Sequence, residues 1–525
     1  MSVASLNFLL FVLITVIVFY ICPVKFRWVI LLISSVVFYI IAGSVNFLPY
    51  IIITSFAVWI FARQIGKQNA ALAAELEREG LSKEEKKALK AKYKARSRVL
   101  LILALVVGIG ILCVTKFSHY VVDYLMTVPA YSDGAASAAM WIIVPLGISY
   151  YTFSTVGYIL DVYWKRCEYE KNFFRFFLYA IYFPHIVQGP ISRYRLLGQE
   201  LKKELKFDYG RVVAGVQLMI WGFFKKLVIA DRLHIFVSNV YDGGVHPGSI
   251  FLVTCLFDAM MIYTDFSGYM DIVRGVSQIF GVELEPNFNH PFFSKSVPEF
   301  WRRWHMSLGS WFKDYVYYPL TVSKWMKAIN KKTGKKPFGR FITVAIPVLI
   351  TWFLTGLWHG TGITYICWGI YYGALITLSV GFARQYEAIN KALRINADSF
   401  SFKLFRMIRI FFVFMGGRLL TSPGSLENTG LVLKTIFTDF QGWLLFDGGI
   451  LNYGLASYDL GLLFVCFFII WAVSMMQERF GVRERLAGQN LVFRWLIMYA
   501  AIFAVIIFGE YGIGYDPAAF IYMQY

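Results

Sequence analysis

Two of the chain's seven histidines stand where an imidazole is costly. His359 closes Thr355-Gly356-Leu357-Trp358-His359-Gly360-Thr361-Gly362, directly after a long apolar run and among three glycines. An ionisable side chain at membrane depth is expensive and is a functional-site hypothesis by default. Glycine lets a helix, a loop or a substrate approach closely, and three in seven residues predict an interrupted helix. A hydrogen-bonded structural histidine is the competing reading. His305 lies in the aromatic-rich segment Phe300–Leu320, FWRRWHMSLGSWFKDYVYYPL. At roughly 100° per residue, Phe300, Trp301, Trp304, Leu308, Trp311, Phe312 and Tyr315 fill one arc of about 120° with His305 at its edge. Arg302, Arg303, Ser310, Lys313 and Asp314 occupy the remainder. The pattern predicts one interfacial amphipathic helix, apolar face in lipid or protein and cations at the headgroups. His305 is then either a reactive group or a rim residue that snorkels.

A third group, Tyr263–Asp271, follows an apolar run that itself holds Asp258. Carboxylates at such depth need partners. Asp265, with Ser267 beside it, could orient a histidine or bind a hydroxylated acceptor; equally, it could cap the following helix. Neutral imidazole taking a proton from a hydroxyl nucleophile is the simplest chemistry for two embedded histidines. The chain has no G-x-S-x-G elbow, no Walker loop and no H-E-x-x-H, so serine-hydrolase, P-loop and zincin readings lose their usual support. Six cysteines stand singly without a CxxC, which argues against a disulfide scaffold or a cysteine zinc site, and no metal is expected.

The elements that hold these residues are apolar. Hydrophobic residues make up 58% of the 525 and charged residues 16%, with a mean hydropathy of +0.58, which fits a polytopic membrane protein rather than a soluble enzyme. The net charge of +19 would otherwise suggest nucleic acid, but most side chains here have no water-facing place, and no nucleic-acid partner is expected. Runs long enough to cross a bilayer are Ser5–Ile21, Trp28–Ile41 extended through Gly43, Phe47–Ala62, Val99–Phe117, Met140–Tyr163, Phe341–Leu357, Ile363–Val380, Leu460–Met476 and Leu491–Gly509. Weaker segments at Phe173–Val187, Arg211–Ala230, Ile250–Tyr263 and Leu404–Leu420 bring the expectation to roughly eleven to thirteen transmembrane, tilted and in-plane helices. Phe183-Pro184-His185, Phe224-Lys225-Lys226 and Gly281–Pro298 read as re-entrant or in-plane pieces. No internal repeat or second domain is visible, so residues 1–525 are expected to form a single membrane-embedded domain. A pump or carrier with repeat symmetry has no support, although a transporter or scaffold with histidines along its pathway stays open.

Charge placement gives the orientation. Segments 63–98, 193–206, 321–340, 384–409 and 479–494 carry 33 of the 51 Lys and Arg, and the positive-inside rule makes them cytoplasmic. Connections 118–139 and 239–249 hold Asp123, Asp133 and Asp242 and no Lys or Arg, as expected of the far side. The longest basic stretch, 63–98, alternates Glu and Lys around Gly80 and reads as a charged cytoplasmic helical hairpin, either a solvated face or a dock for an anionic partner.

The Phe300–Leu320 segment, followed about forty residues later by LTGLWHG, resembles the two signature segments of the membrane-bound O-acyltransferases, bacterial branch. VPLGISYYTFSTVGYILDVY (144–163), YFPHIVQGPISRY (182–194), YTDFSGYMDIVRG (263–275) and FIYMQY (520–525) extend the likeness from about residue 140 to the C-terminus. Within the family the chain is most similar to the alginate O-acetyltransferase membrane component and the D-alanyl transfer protein of teichoic acids. It departs at Met415-Gly416-Gly417-Arg418, where the alginate type usually has an aromatic pair before Arg-Ala, and in its long charged hairpin. The resemblance implies a bundle around a central tunnel, with His359 as the essential histidine and His305 as the second signature histidine. It further implies Trp304 and Trp358 as tunnel walls, and Arg302 and Arg303 beside the donor entrance. No bound cofactor is implied; the thioester donor, acetyl-CoA or an acylated carrier protein, is a substrate. The expected setting is the cytoplasmic membrane, with export components or an extracytoplasmic SGNH-type acyltransferase as partners. The expected outcome is O-acetylation of an exported polysaccharide or, alternatively, D-alanyl or other acyl transfer to a wall polymer.

Overall fold

The computed structural model describes residues 1–78, 81–126, 144–334 and 339–511. Helices make up 78% of it and no strand occurs among these residues. Nine helices among them are long and apolar enough to cross a membrane, and Leu6–Ile21 is a shorter apolar helix. The protein is an all-α, multi-pass membrane protein. The described residues fall into two compact units, Met1–Gly215 with Val273–Glu285, and Val216–Ile272 with the residues from Pro286 onward.

In the first unit, Leu6–Ile21, Arg27–Ala42, Leu48–Leu76 and Lys83–Met126 take up the first four expected spans. The charged 63–98 stretch is built from the ends of two of these helices rather than from separate elements. Tyr93 donates to Glu75 at 2.7 Å and Ser97 to Gln68 at 2.9 Å across the pair. Ser82 and Glu85 form a reciprocal capping box, satisfying two orphan amides where the second helix starts. The span expected over Met140–Tyr163 is helical over Ile148–Tyr163, its first residues lying outside the described ones. The Phe173–Val187 expectation shrinks to the nine-residue helix Phe173–Ile181, too short to cross a bilayer. The irregular chain around Phe183-Pro184-His185 that follows is buried, and protein groups satisfy its backbone: Ser35 accepts from the Phe183 amide at 3.1 Å. Irregular backbone is tolerated at membrane depth on that condition.

In the second unit the expected re-entrant break at Phe224-Lys225-Lys226 does not occur. The run Tyr209–Asp242 stays helical, and Phe224–Ala230 is a π turn within it. The extra residue of a π turn lets side chains be re-aimed without ending the helix, and here Lys225 and Lys226 find carboxylates instead of water. The weak Ile250–Tyr263 segment is the N-terminal half of a 32-residue helix, Gly248–Ile279. The expected in-plane piece Gly281–Pro298 carries a three-residue 3-10 turn, Pro291–Phe293, and the next helix begins at Val297. Phe400–Leu419 is a full helix, but its Lys403, Arg406, Arg409 and Arg418 keep it out of the plain-span class. Leu491–Phe508 buries no residue, and Phe464, Val465 and Phe468 of Ser457–Gln477 are exposed. Such surfaces are stable only against lipid.

Candidate active site

His359 is the last residue of the helix Gly339–His359 and is 7% exposed. Gly356 does not break this helix as its sequence suggested. A Cβ there would lie 2.3 Å from the Tyr365 carbonyl oxygen, so this glycine lets Ile363–Gly381 approach closely. The break comes at Gly360-Thr361-Gly362. The His359 ring stands edge-on to Trp358 at 4.8 Å and to Trp368 at 4.9 Å. Its other surroundings form a cavity of about 30 Å³ shared with Trp301, Trp304, Tyr365, Phe414 and Arg418, room for a water or two.

His305 does not sit on a rim. The single amphipathic helix expected over Phe300–Tyr315 is replaced by Val297–Arg303, a break at Trp304-His305, Met306–Phe312 and a π turn over Lys313–Tyr317. His305 takes a left-handed backbone, φ 46°, uncommon for a residue with a Cβ, and is 2% exposed. The break aims both residues of the pair inward. Trp304 stacks on Phe300 with centroids 5.6 Å apart, and His305 Nδ1 lies 3.3 Å from Asn287 Oδ1. The same Asn287 oxygen accepts the Ser307 amide at 2.9 Å, and the Asn287 carbonyl accepts the Met306 amide, so one residue fastens both sides of the break. Burial pushes the His305 pKa down to about 3, leaving the ring neutral at physiological pH. The aromatic members of the predicted arc are still buried or partly buried; what failed is the assumption of one uninterrupted helix. Arg302 is exposed, while Arg303 pairs with Glu299 at 3.2 Å and with Glu478.

Asp265 is not an N-cap. It lies fully buried in the interior of Gly248–Ile279, and its partner is a lysine: Lys226 Nζ is 2.7 Å from Asp265 Oδ1 and 2.7 Å from Asp231 Oδ1. Ser267 accepts from Lys225 Nζ at 3.0 Å, and that ammonium reaches Asp271 at 2.7 Å. Phe266, between Asp265 and Ser267 in the chain, packs edge-on against the His305 ring at 4.9 Å. Trp358 is 6.2 Å from that ring on centroids, so it touches the surroundings of both histidines.

Sequence reasoning missed the cation of the cavity. Arg418 donates through Nε at 3.0 Å and Nη2 at 2.9 Å to the two oxygens of the buried Asp258, and Ser422 donates to the same carboxylate at 2.7 Å. Each partner was visible as an oddity in an apolar run; their pairing across 160 residues was not. The unusual Met415-Gly416-Gly417 has a packing reason. A Cβ on Gly417 would stand 2.0 Å from the Tyr372 hydroxyl oxygen, which donates to the Phe414 carbonyl at 3.4 Å. Among the described residues no group of three His, Cys, Asp or Glu is placed to hold a metal.

Residues 168–421 match the sequence model of the family described as MBOAT, membrane-bound O-acyltransferase. The chain carries a membrane-bound O-acyltransferase domain. That domain contains His305, His359 and the Asp258–Arg418 pair. A probable alginate O-acetylase AlgI of Pseudomonas syringae pv. tomato is 29% identical over 346 residues, 66% of this chain and 61% of the relative. The protein of that name from Pseudomonas aeruginosa is 28% identical over 460 residues, 87% of this chain and 78% of its own. A teichoic acid D-alanyltransferase of Bacillus subtilis is 32% identical over 239 residues, 44% of this chain and 58% of the relative. The matched part of the chain thus spans about three fifths of the P. syringae and B. subtilis relatives and more of the P. aeruginosa one.

Proposed function

We propose that this acyltransferase moves an acetyl group from a cytoplasmic thioester donor towards an exported polysaccharide, with His359 as general base. The observation that carries the reading is a buried histidine at a helix end, set in an aromatic-walled cavity inside an O-acyltransferase domain. Neutral His359 takes the proton of an acceptor hydroxyl, and that oxygen attacks the thioester carbonyl. The carbon–sulfur bond then breaks, and the thiolate recovers the proton from the imidazolium. Trp301, Trp304 and Trp368 exclude bulk water, so the acyl group meets the acceptor rather than hydrolysis. His305, fastened to Asn287 and packed near Trp358, acts as a positioning residue that fixes the wall beside His359. Arg302 and Arg303 belong to the donor entrance on the positively charged side. Acetyl-CoA or an acylated carrier protein is the donor in this reading. The cytoplasmic membrane is the location, and an SGNH-type extracytoplasmic acyltransferase or an export component receives or passes on the group.

Similarity to a teichoic acid D-alanyltransferase favours a second reading, the same catalyst moving D-alanyl or another acyl group to a wall polymer from a carrier protein. Offering the purified protein acetyl-CoA against an acylated carrier separates the two. His359→Ala at normal membrane abundance is expected to abolish acyl transfer and strip ester groups from the polymer. An active His359→Ala protein would overturn the assignment of the base.

A further inference from the structure

We infer that Arg418 is the group that holds the acyl carbonyl oxygen as negative charge develops on it. The inference rests on the proposed reaction and gives it a residue that the signature histidines do not supply. Acyl transfer to a hydroxyl passes through a tetrahedral intermediate whose oxygen carries a full negative charge, and a donor placed to meet that charge is usually the largest single contribution to such catalysis. His305 is poorly suited to that role. Buried against Asn287 and Phe266, it is held neutral and lies apart from the cavity lining. Arg418 lines the cavity together with His359 and keeps a permanent charge.

Two features make Arg418 an oriented donor rather than a loose cation. Asp258 grips it through Nε and Nη2, and Ser422 donates to the same Oδ2 that accepts from Nε. A guanidinium carries five N–H groups in a rigid plane, so gripping one edge fixes the direction of the rest. Its place at the end of Phe400–Leu419 is fixed by the Gly417 contact with Tyr372. The cost of burying Asp258 at 0% exposure is also explained, since an uncompensated cation beside the cavity would be harder to keep dry than an ion pair. In the reacting complex the hydroxyl oxygen bonds to the carbonyl carbon, the carbonyl π electrons move onto oxygen against Arg418, and His359 holds the proton. Collapse returns those electrons, breaks the carbon–sulfur bond and passes the proton to the departing thiolate.

The test compares wild type with Arg418→Gln, Arg418→Lys, Asp258→Asn and His359→Ala in detergent-purified full-length protein. Transfer is measured with acetyl-CoA and with an acetylated carrier protein, and rates are read on the donor that the unaltered protein uses. Affinity for a thioether analogue of that donor, which cannot react, is measured alongside. Arg418→Gln should lower kcat roughly 10²- to 10³-fold with donor KM and analogue affinity within a few-fold of wild type. Arg418→Lys, which keeps charge without the gripped plane, and Asp258→Asn, which frees the plane, should fall in between. If Arg418→Gln does not accumulate, Arg418→Lys and Asp258→Asn carry the comparison. A kcat within a few-fold of wild type in the folded variants, or a loss confined to KM and analogue affinity, overturns the inference. Activity in His359→Ala would instead overturn the reaction scheme, so the two failures are distinct.

Discussion

His305 shows how a single backbone angle changes the meaning of a residue. On a straight helix it would sit at the edge of an apolar arc; with φ at 46° it turns inward and its ring is dry. Burial lowers its pKa to about 3, against about 6.5 for an ordinary histidine. The unfolded chain therefore binds a proton that the folded ring refuses. The stability contributed by keeping the ring neutral is complete above about pH 6.5 and is lost as pH falls towards 3. Thermal midpoints in detergent, followed from about pH 7 to about pH 4.5, should fall several degrees more for wild type than for His305→Gln. Equal slopes for the two proteins would mean that His305 is not the group that titrates. The fall of activity with pH is a separate matter, because the ring that exchanges protons in the proposed reaction is His359.

At the scale of elements, the decisive device is the π turn Phe224–Ala230, which keeps Tyr209–Asp242 helical while aiming Lys225 and Lys226 at the carboxylates of Gly248–Ile279. Two adjacent lysines in an apolar run read as a re-entrant or in-plane piece, because a plain span does not carry such charge. Lys226 is 2% exposed and shared between Asp231 and Asp265. Removing one member of such a buried set leaves charge without compensation, a loss of about 3–5 kcal/mol. Lys226→Met should therefore cut membrane abundance and lower the thermal midpoint sharply. Combining it with Asp231→Asn and Asp265→Asn should recover much of the loss. A single Lys226→Met protein as stable as wild type would show that the charges are not paired in the membrane. The same elements explain Asp265, whose helix-cap reading assumed a helix start that the 32-residue helix does not have.

Across the whole molecule, the charge excess is a map. Of 51 Lys and Arg, 33 fall within five short segments, the pattern that membrane insertion reads as the retained side. The same surplus can also gather an anionic thioester donor, since like-signed surface charge raises local counter-ion concentration and is screened by salt. Donor KM should then rise several-fold between about 50 and 300 mM salt. A KM that ignores ionic strength would leave the charge as a topological signal alone.

The sequence by itself determined which stretches are apolar helices, the class of protein they make, and the placing of His359 at the end of one of them, because hydropathy, glycine spacing and charge runs are local properties. His305 could be singled out the same way, but its environment could not. Tertiary structure alone decided that Arg418 grips Asp258, that Lys226 lies between Asp231 and Asp265, and that the Phe300–Tyr315 segment breaks so that His305 reaches Asn287. Arg418 and Asp258 lie 160 residues apart and Lys226 and Asp265 lie 39 apart, each pair on two different helices, and a buried charge selects its partner by which helices pack together. No local pattern encodes that choice.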